Sequence, residues 1–184
     1  MKNHITYLFL CGICLSTVSK AGENDDTTIV RRATDLTKLV RITNKPHLMS
    51  DPAAGLCRAP IFDAPHNVHI ESYSNVYCNV YVTKNAANTI KSGVGKYPAG
   101  ALIVKTKLKT EDAKRAMLYT VMRKMPKGYD ADHGDWEYSV IDGATHQIQA
   151  RGRIDSCIGC HDDYRSTDFV TREYLPKPKP IRKP

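Results

Sequence analysis

No apolar run in this chain of 184 residues is long enough to cross a bilayer. The longest, Ile5 to Val18, falls short of the about 20 residues that a membrane-spanning helix needs. Nor do basic residues cluster with aromatics anywhere before the C-terminal tail, so a nucleic-acid-binding reading has no support despite a formal charge of +8. Internal repeats are absent, and low-complexity sequence is confined to that tail. The chain therefore reads as a globular protein with no transmembrane span and no nucleic-acid partner.

What is present begins with an export signal. Lys2, the apolar run to Val18 and Ser19-Lys20-Ala21 together form a secretory signal over residues 1–21. Cys11 and Cys14 lie inside that signal and leave with it, so they are no second metal motif. Removing the signal takes away only two charged residues, Lys2 and Lys20. Residues 22–176 then have the size of one domain with a single core. Pro176 to Pro184 alternates proline with base and reads as an extended, solvated end, with 177–184 a flexible tail.

The strongest chemical signal is Cys157-Ile158-Gly159-Cys160-His161. Two thiols three apart, followed directly by an imidazole, form the attachment site of a c-type haem. Each thiol adds to one vinyl group, and the adjacent His ligates the iron from the same turn of helix. At this chain's own Cys and His frequencies such a match is expected roughly 0.007 times by chance. A redox Cys-x-x-Cys pair or half a zinc site are the plainer alternatives, and neither requires a His at that place. Haem is attached to such motifs outside the bacterial cytoplasmic membrane, so motif and signal agree on a periplasmic location in a Gram-negative source. In that oxidising compartment Cys57 and Cys78 read as a structural disulfide; a zinc site made from all four mature cysteines would leave His161 without a role.

The periodicity is mostly that of strands. Residues 22–35 are polar and read as loose. Val68 to Val82, Ala101 to Leu108, Met117 to Met125 and Trp136 to Ile141 alternate as strands do. Thr83 is placed to cap a short helix from Asn85 to Lys91, closed by Gly93 and Gly95. Pro126 to Asp135 reads as a polar loop, Asp142-Gly143 as a turn, and Ser156 to Tyr164 as the haem-bearing helix. The expected fold class is mainly β (α+β): an antiparallel sheet with a C-terminal haem-attachment helix.

That layout separates the haem-protein classes. A class I cytochrome c carries its motif near the mature N-terminus and a Met ligand far downstream; here 23 residues follow His161 and none is Met. A cytochrome c′ of the bundle type has its motif near the C-terminus, but on the last of four long helices, and these alternating strands argue against such helices.

Tyr97-Pro98-Ala99-Gly100-Ala101-Leu102-Ile103-Val104-Lys105, then Gly134-Asp135-Trp136-Glu137-Tyr138, then the haem motif with Thr167-Asp168-Phe169-Val170 after it, carry a family resemblance over roughly residues 50–176. In order and spacing the chain resembles the cytochrome P-460 family, which includes the β-sheet cytochromes c′. The resemblance implies a homodimer of antiparallel-sheet subunits, each with one haem c held through Cys157 and Cys160, ligated by His161, and open at its sixth position to small nitrogen ligands. It also implies a candidate third covalent bond from Lys105 to the porphyrin rim, a bond the sheet-type cytochromes c′ lack. A neutral amine is needed there, and burial beside an apolar macrocycle favours it. The plainer reading of Lys105 is the solvated face of a strand, since Lys107 and Lys109 share its parity; Ala101 and Ile103 share it too.

On the distal side Met117, Met122 and Met125 read as core residues, His133 as a loop histidine and Trp136 as a core anchor. Glu137 and Asp130 are candidates for a base that accepts protons from an iron-bound ligand. His47, His66, His69 and His146 carry no recognisable spacing. The expected activity is oxidation of hydroxylamine or nitric oxide, with electrons passed to a redox partner protein and Lys105 and Glu137 the candidate catalytic residues. Non-catalytic nitric oxide binding and simple electron carriage are the alternatives.

Overall fold

The computed structural model describes residues 20–49 and 76–175. The frame is an antiparallel sheet of seven strands among the described residues: β1 (Val40–Arg41), β2 (His47–Leu48), β3 (Tyr77–Val82), β4 (Leu102–Leu108), β5 (Leu118–Lys124), β6 (Trp136–Asp142) and β7 (Ile148–Gly152). Strands β3 to β7 pair in chain order, and β1 and β2 both lie along the outer edge of β3. The long strands are rich in β-branched and aromatic residues on both parities, and the pleat sends successive side chains to opposite faces.

Both faces are covered. On one, Val82, Ile103, Met122 and Tyr138 are cross-strand neighbours in a single row. They pack with Trp136, Phe169 and Val170 into the larger core. On the other, Leu102, Val104, Val121 and Ile141 are roofed by helix α1 (Lys20–Thr34). That helix replaces the loose segment expected over 22–35. Ile29 and Ala33, four apart and fully buried, dock on the sheet, while the polar residues that suggested a loop include Asp25, which ion-pairs with Arg123 of β5. Tertiary partners make this helix; its polar composition alone does not reveal it.

A 3₁₀ turn (Lys84–Ala86) and helix α2 (Ala87–Ser92) connect β3 to β4, and Gly93 closes α2 at φ 70°. Thr83 does not cap by its side chain: its hydroxyl donates to Asn85 Oδ1 at 2.6 Å and accepts from the Leu102 amide at 3.0 Å, tying the turn to β4. β7 was not expected, because Ile-Gln-Ala-Arg-Gly has little apolar content; its ladder with β6 supplies what its propensity lacks. Helix α3 (Asp155–His161) then carries the cysteine motif and runs into a 3₁₀ segment (Asp162–Thr167).

No helix among the described residues is long and apolar enough to cross a membrane. Cys78 is buried in β3, whereas its expected disulfide partner Cys57 lies outside the described residues, as do the tail 177–184 and the signal up to residue 19.

Candidate functional site

Residues 157, 160 and 161 stand at i, i+3 and i+4 on α3, and this spacing gathers both thiols and the imidazole on one side of a short helix. That side faces the sheet across a cavity whose empty volume, out to its open mouth, is about 830 Å³. The floor comes from strand parity: Ile103, Met122 and Tyr138 form one cross-strand row, and Val80, Lys105, Thr120 and Val140 form the next. Ile90 of α2 and the segment Val170 to Leu175 close the remaining walls.

Lys105 thus lines the same cavity as Cys157, Cys160 and His161, although 52 residues separate it from the first thiol in sequence. The lysine row is no solvated face. Lys105 is half-buried, with Nζ 5.6 Å from the centre of the Tyr174 ring, and Lys107 is 2% exposed; only Lys109 is fully at the surface. The sheet carries cover on both faces, so parity does not sort its residues into wet and dry.

His161 is oriented by what its other nitrogen does. Nδ1 lies 2.7 Å from the Phe169 carbonyl oxygen, which can only accept, so Nδ1 carries the proton and donates. Nε2 is left with the lone pair, the form needed to ligate a metal. Burial, with the positive charge of Lys105 adding to it, holds the imidazole pKa below its ordinary value and keeps the ring neutral. The Tyr138 ring lies 5.4 Å from that of His161, and its hydroxyl is buried without a hydrogen-bond partner. Burial pushes the phenol pKa up.

These groups fit a covalently held haem. Two thiols flank an imidazole with a free Nε2 lone pair, the floor is largely apolar, and an unsatisfied phenol stands where a bound group could meet it.

Glu137 is not brought to the cavity. It alternates with Trp136 and Tyr138 along β6 and therefore lies on the opposite face, where its carboxylate meets Arg123 Nε at 2.8 Å and Arg151 Nε at 3.2 Å. Asp25 of α1 caps the same two arginines. Asp130 is buried but accepts from His133 Nδ1 at 2.9 Å, and the His133 ring packs 6.4 Å from Phe169, outside the cavity lining. Met122 lines the cavity, while Met117 is exposed and Met125 half-buried. Trp136 is fully buried and donates from Nε1 to the Asp168 carbonyl at 2.8 Å. His47 pairs in β2 with Cys78, His146 packs on Tyr119, and His66 and His69 lie outside the described residues.

Sequence reasoning assigned no role to Tyr138, Tyr174, Lys124 or Asp168. Tyr138 was within reach of it, because it shares parity with Val140 and lies two residues from Trp136; Lys124 and Asp168 gave no local signal.

No curated protein matches the chain. The family model of cytochrome P460 matches residues 63–172, which span strands β3 to β7, the lysine and the cysteine motif, and the chain belongs to this family of haem c cytochromes.

Proposed function

We propose that this protein is an exported mono-haem enzyme that oxidises hydroxylamine at an open iron site and passes the electrons to a redox partner. The observation that carries this reading is the convergence of Lys105 with Cys157, Cys160 and His161 in one largely apolar cavity. Cys157 and Cys160 would anchor the porphyrin, and His161, whose Nδ1 donates to the Phe169 carbonyl, would ligate the iron through Nε2. The haem, when bound, supplies the redox chemistry by which electrons leave a small nitrogen compound. Ile103, Met122 and Val140 give the cavity an apolar floor, and Lys105, which lines the same cavity, would supply a third point of attachment to the porphyrin. Glu137 serves the fold, through Arg123 and Arg151, and takes no part in the reaction.

The reading includes export by residues 1–21 to the periplasm, a single haem domain over 22–176 and action as a homodimer. The composition of the N-terminal segment and the family resemblance support these points.

The test is a steady-state assay of protein matured with its export and haem-attachment machinery, using hydroxylamine and an artificial electron acceptor. Turnover is expected. Intact haem without turnover would leave a nitric oxide binder in place of an enzyme. A red-shifted ferrous Soret band that returns to the ordinary c-type position in Lys105→Ala would establish the lysine bond, and an unchanged spectrum would remove it.

A further inference from the structure

Asp168 and Phe169 stand consecutively in the left-handed region, at φ 55° and 65°. A non-glycine residue takes that conformation at a cost, and an aromatic one rarely does so. The strain has a visible consequence: it turns the Phe169 carbonyl onto His161 Nδ1. Something must hold the turn, and the structure shows what does. The Asp168 carboxylate accepts from Lys124 Nζ at 2.6 Å and from the Tyr97 amide at 2.8 Å, and its carbonyl accepts from Trp136 Nε1. Lys124 and Asp168 are both buried, so their ion pair is little screened by solvent. The Phe169 amide donates to the Tyr164 carbonyl at 2.8 Å. Its ring occupies the space left by Gly134, where a Cβ would stand 2.5 Å from Phe169 Cδ2.

We propose that the buried Lys124–Asp168 ion pair positions His161 by locking this left-handed turn, so that Lys124 and Asp168 are positioning residues for the haem ligand although neither lines the cavity. The inference rests on His161 ligating the iron, as argued above. A histidine that donates a fixed hydrogen bond through Nδ1 is a stronger electron donor to its metal. The ion pair therefore sets the iron–histidine bond from a distance. Without the Lys124 charge the carboxylate loses its firmest anchor, the turn relaxes, and the Phe169 carbonyl withdraws from Nδ1.

The test is resonance Raman spectroscopy of the ferrous, haem-loaded protein, read at the iron–histidine stretching band. Asp168→Asn and Lys124→Gln are expected to lower and broaden that band, whereas Lys124→Arg, which keeps the charge, is expected to leave it in place. If Asp168→Asn fails to accumulate, Lys124→Gln carries the comparison alone. A band at the wild-type frequency in the variants that remove the charge, even with a lowered melting temperature, would show a merely structural contact and overturn the proposal. A shift in Lys124→Arg as large as that in Lys124→Gln would overturn it too, because charge would then not be the agent. Absence of any iron–histidine band in the wild-type protein would instead refute the reading on which the inference rests, an open iron site ligated by His161, which keeps the two failures apart.

Discussion

Glu137→Gln separates a structural carboxylate from a catalytic one. In the wild-type protein the Glu137 side chain is 8% exposed and meets Arg123 Nε at 2.8 Å and Arg151 Nε at 3.2 Å. The arginines are themselves only 11% and 15% exposed, so water cannot replace the lost charge well. Glutamine keeps the shape and one acceptor but turns an amide donor toward a guanidinium. Breaking a buried pair by removing one partner costs about 3–5 kcal/mol. Asp25 and Asp26 still face the arginines, which places the expected loss near the lower end, at about 3 kcal/mol. For a chain of this size that corresponds to a fall in Tm of roughly 6–12 °C. Differential scanning calorimetry gives the first number, and the ferrous spectrum with the hydroxylamine assay gives the second, which is expected to match wild type at a temperature where both proteins are folded. A tenfold or greater loss of turnover with unchanged Tm would refute the placement of Glu137 away from the reaction.

The same cluster carries a pH dependence. The hydrogen bond from Arg123 first, and that from Arg151 with it, hold the Asp25 carboxyl well below its ordinary value of 3.8 against an opposing desolvation. A carboxylate depressed in the folded state stabilises fully above that value and less as pH falls below it. Asp25→Asn is therefore expected to cost about 1 kcal/mol at neutral pH, after allowance for its partial exposure, and denaturant titrations should show the gap closing as the pH falls below 3.8. Gly143→Ala places a Cβ 1.9 Å from the Ala116 carbonyl oxygen, a backbone atom that cannot step aside. A loss of ~3 kcal/mol or failure to accumulate is expected, as read by urea denaturation of the purified protein.

Much of the site could be read in the sequence because its signals are local. Cys157, Cys160 and His161 declare themselves by spacing, and the strand from Ala101 to Leu108 puts Lys105 on the parity of Ile103, the parity that turned out to line the cavity. The illegible parts depend on partners distant in sequence. Helix α1 looks like a polar loop until Asp25 meets Arg123, 98 residues away. Glu137 reads in the sequence as a candidate base, yet six of the seven β6 residues are buried because the sheet is covered on both faces, and its carboxylate is held by Arg123 and Arg151. Asp168 was visible only as part of a family signature; nothing local says that it is held left-handed by Lys124, 44 residues earlier.

The proposed function stands on one haem per chain, covalently held by Cys157 and Cys160. Pyridine haemochrome analysis of acid–acetone-extracted protein, matured with its export and attachment machinery, measures that directly. One covalent haem per chain is expected, lost when both cysteines are replaced by alanine. A folded, exported chain that retains no haem after extraction would contradict it.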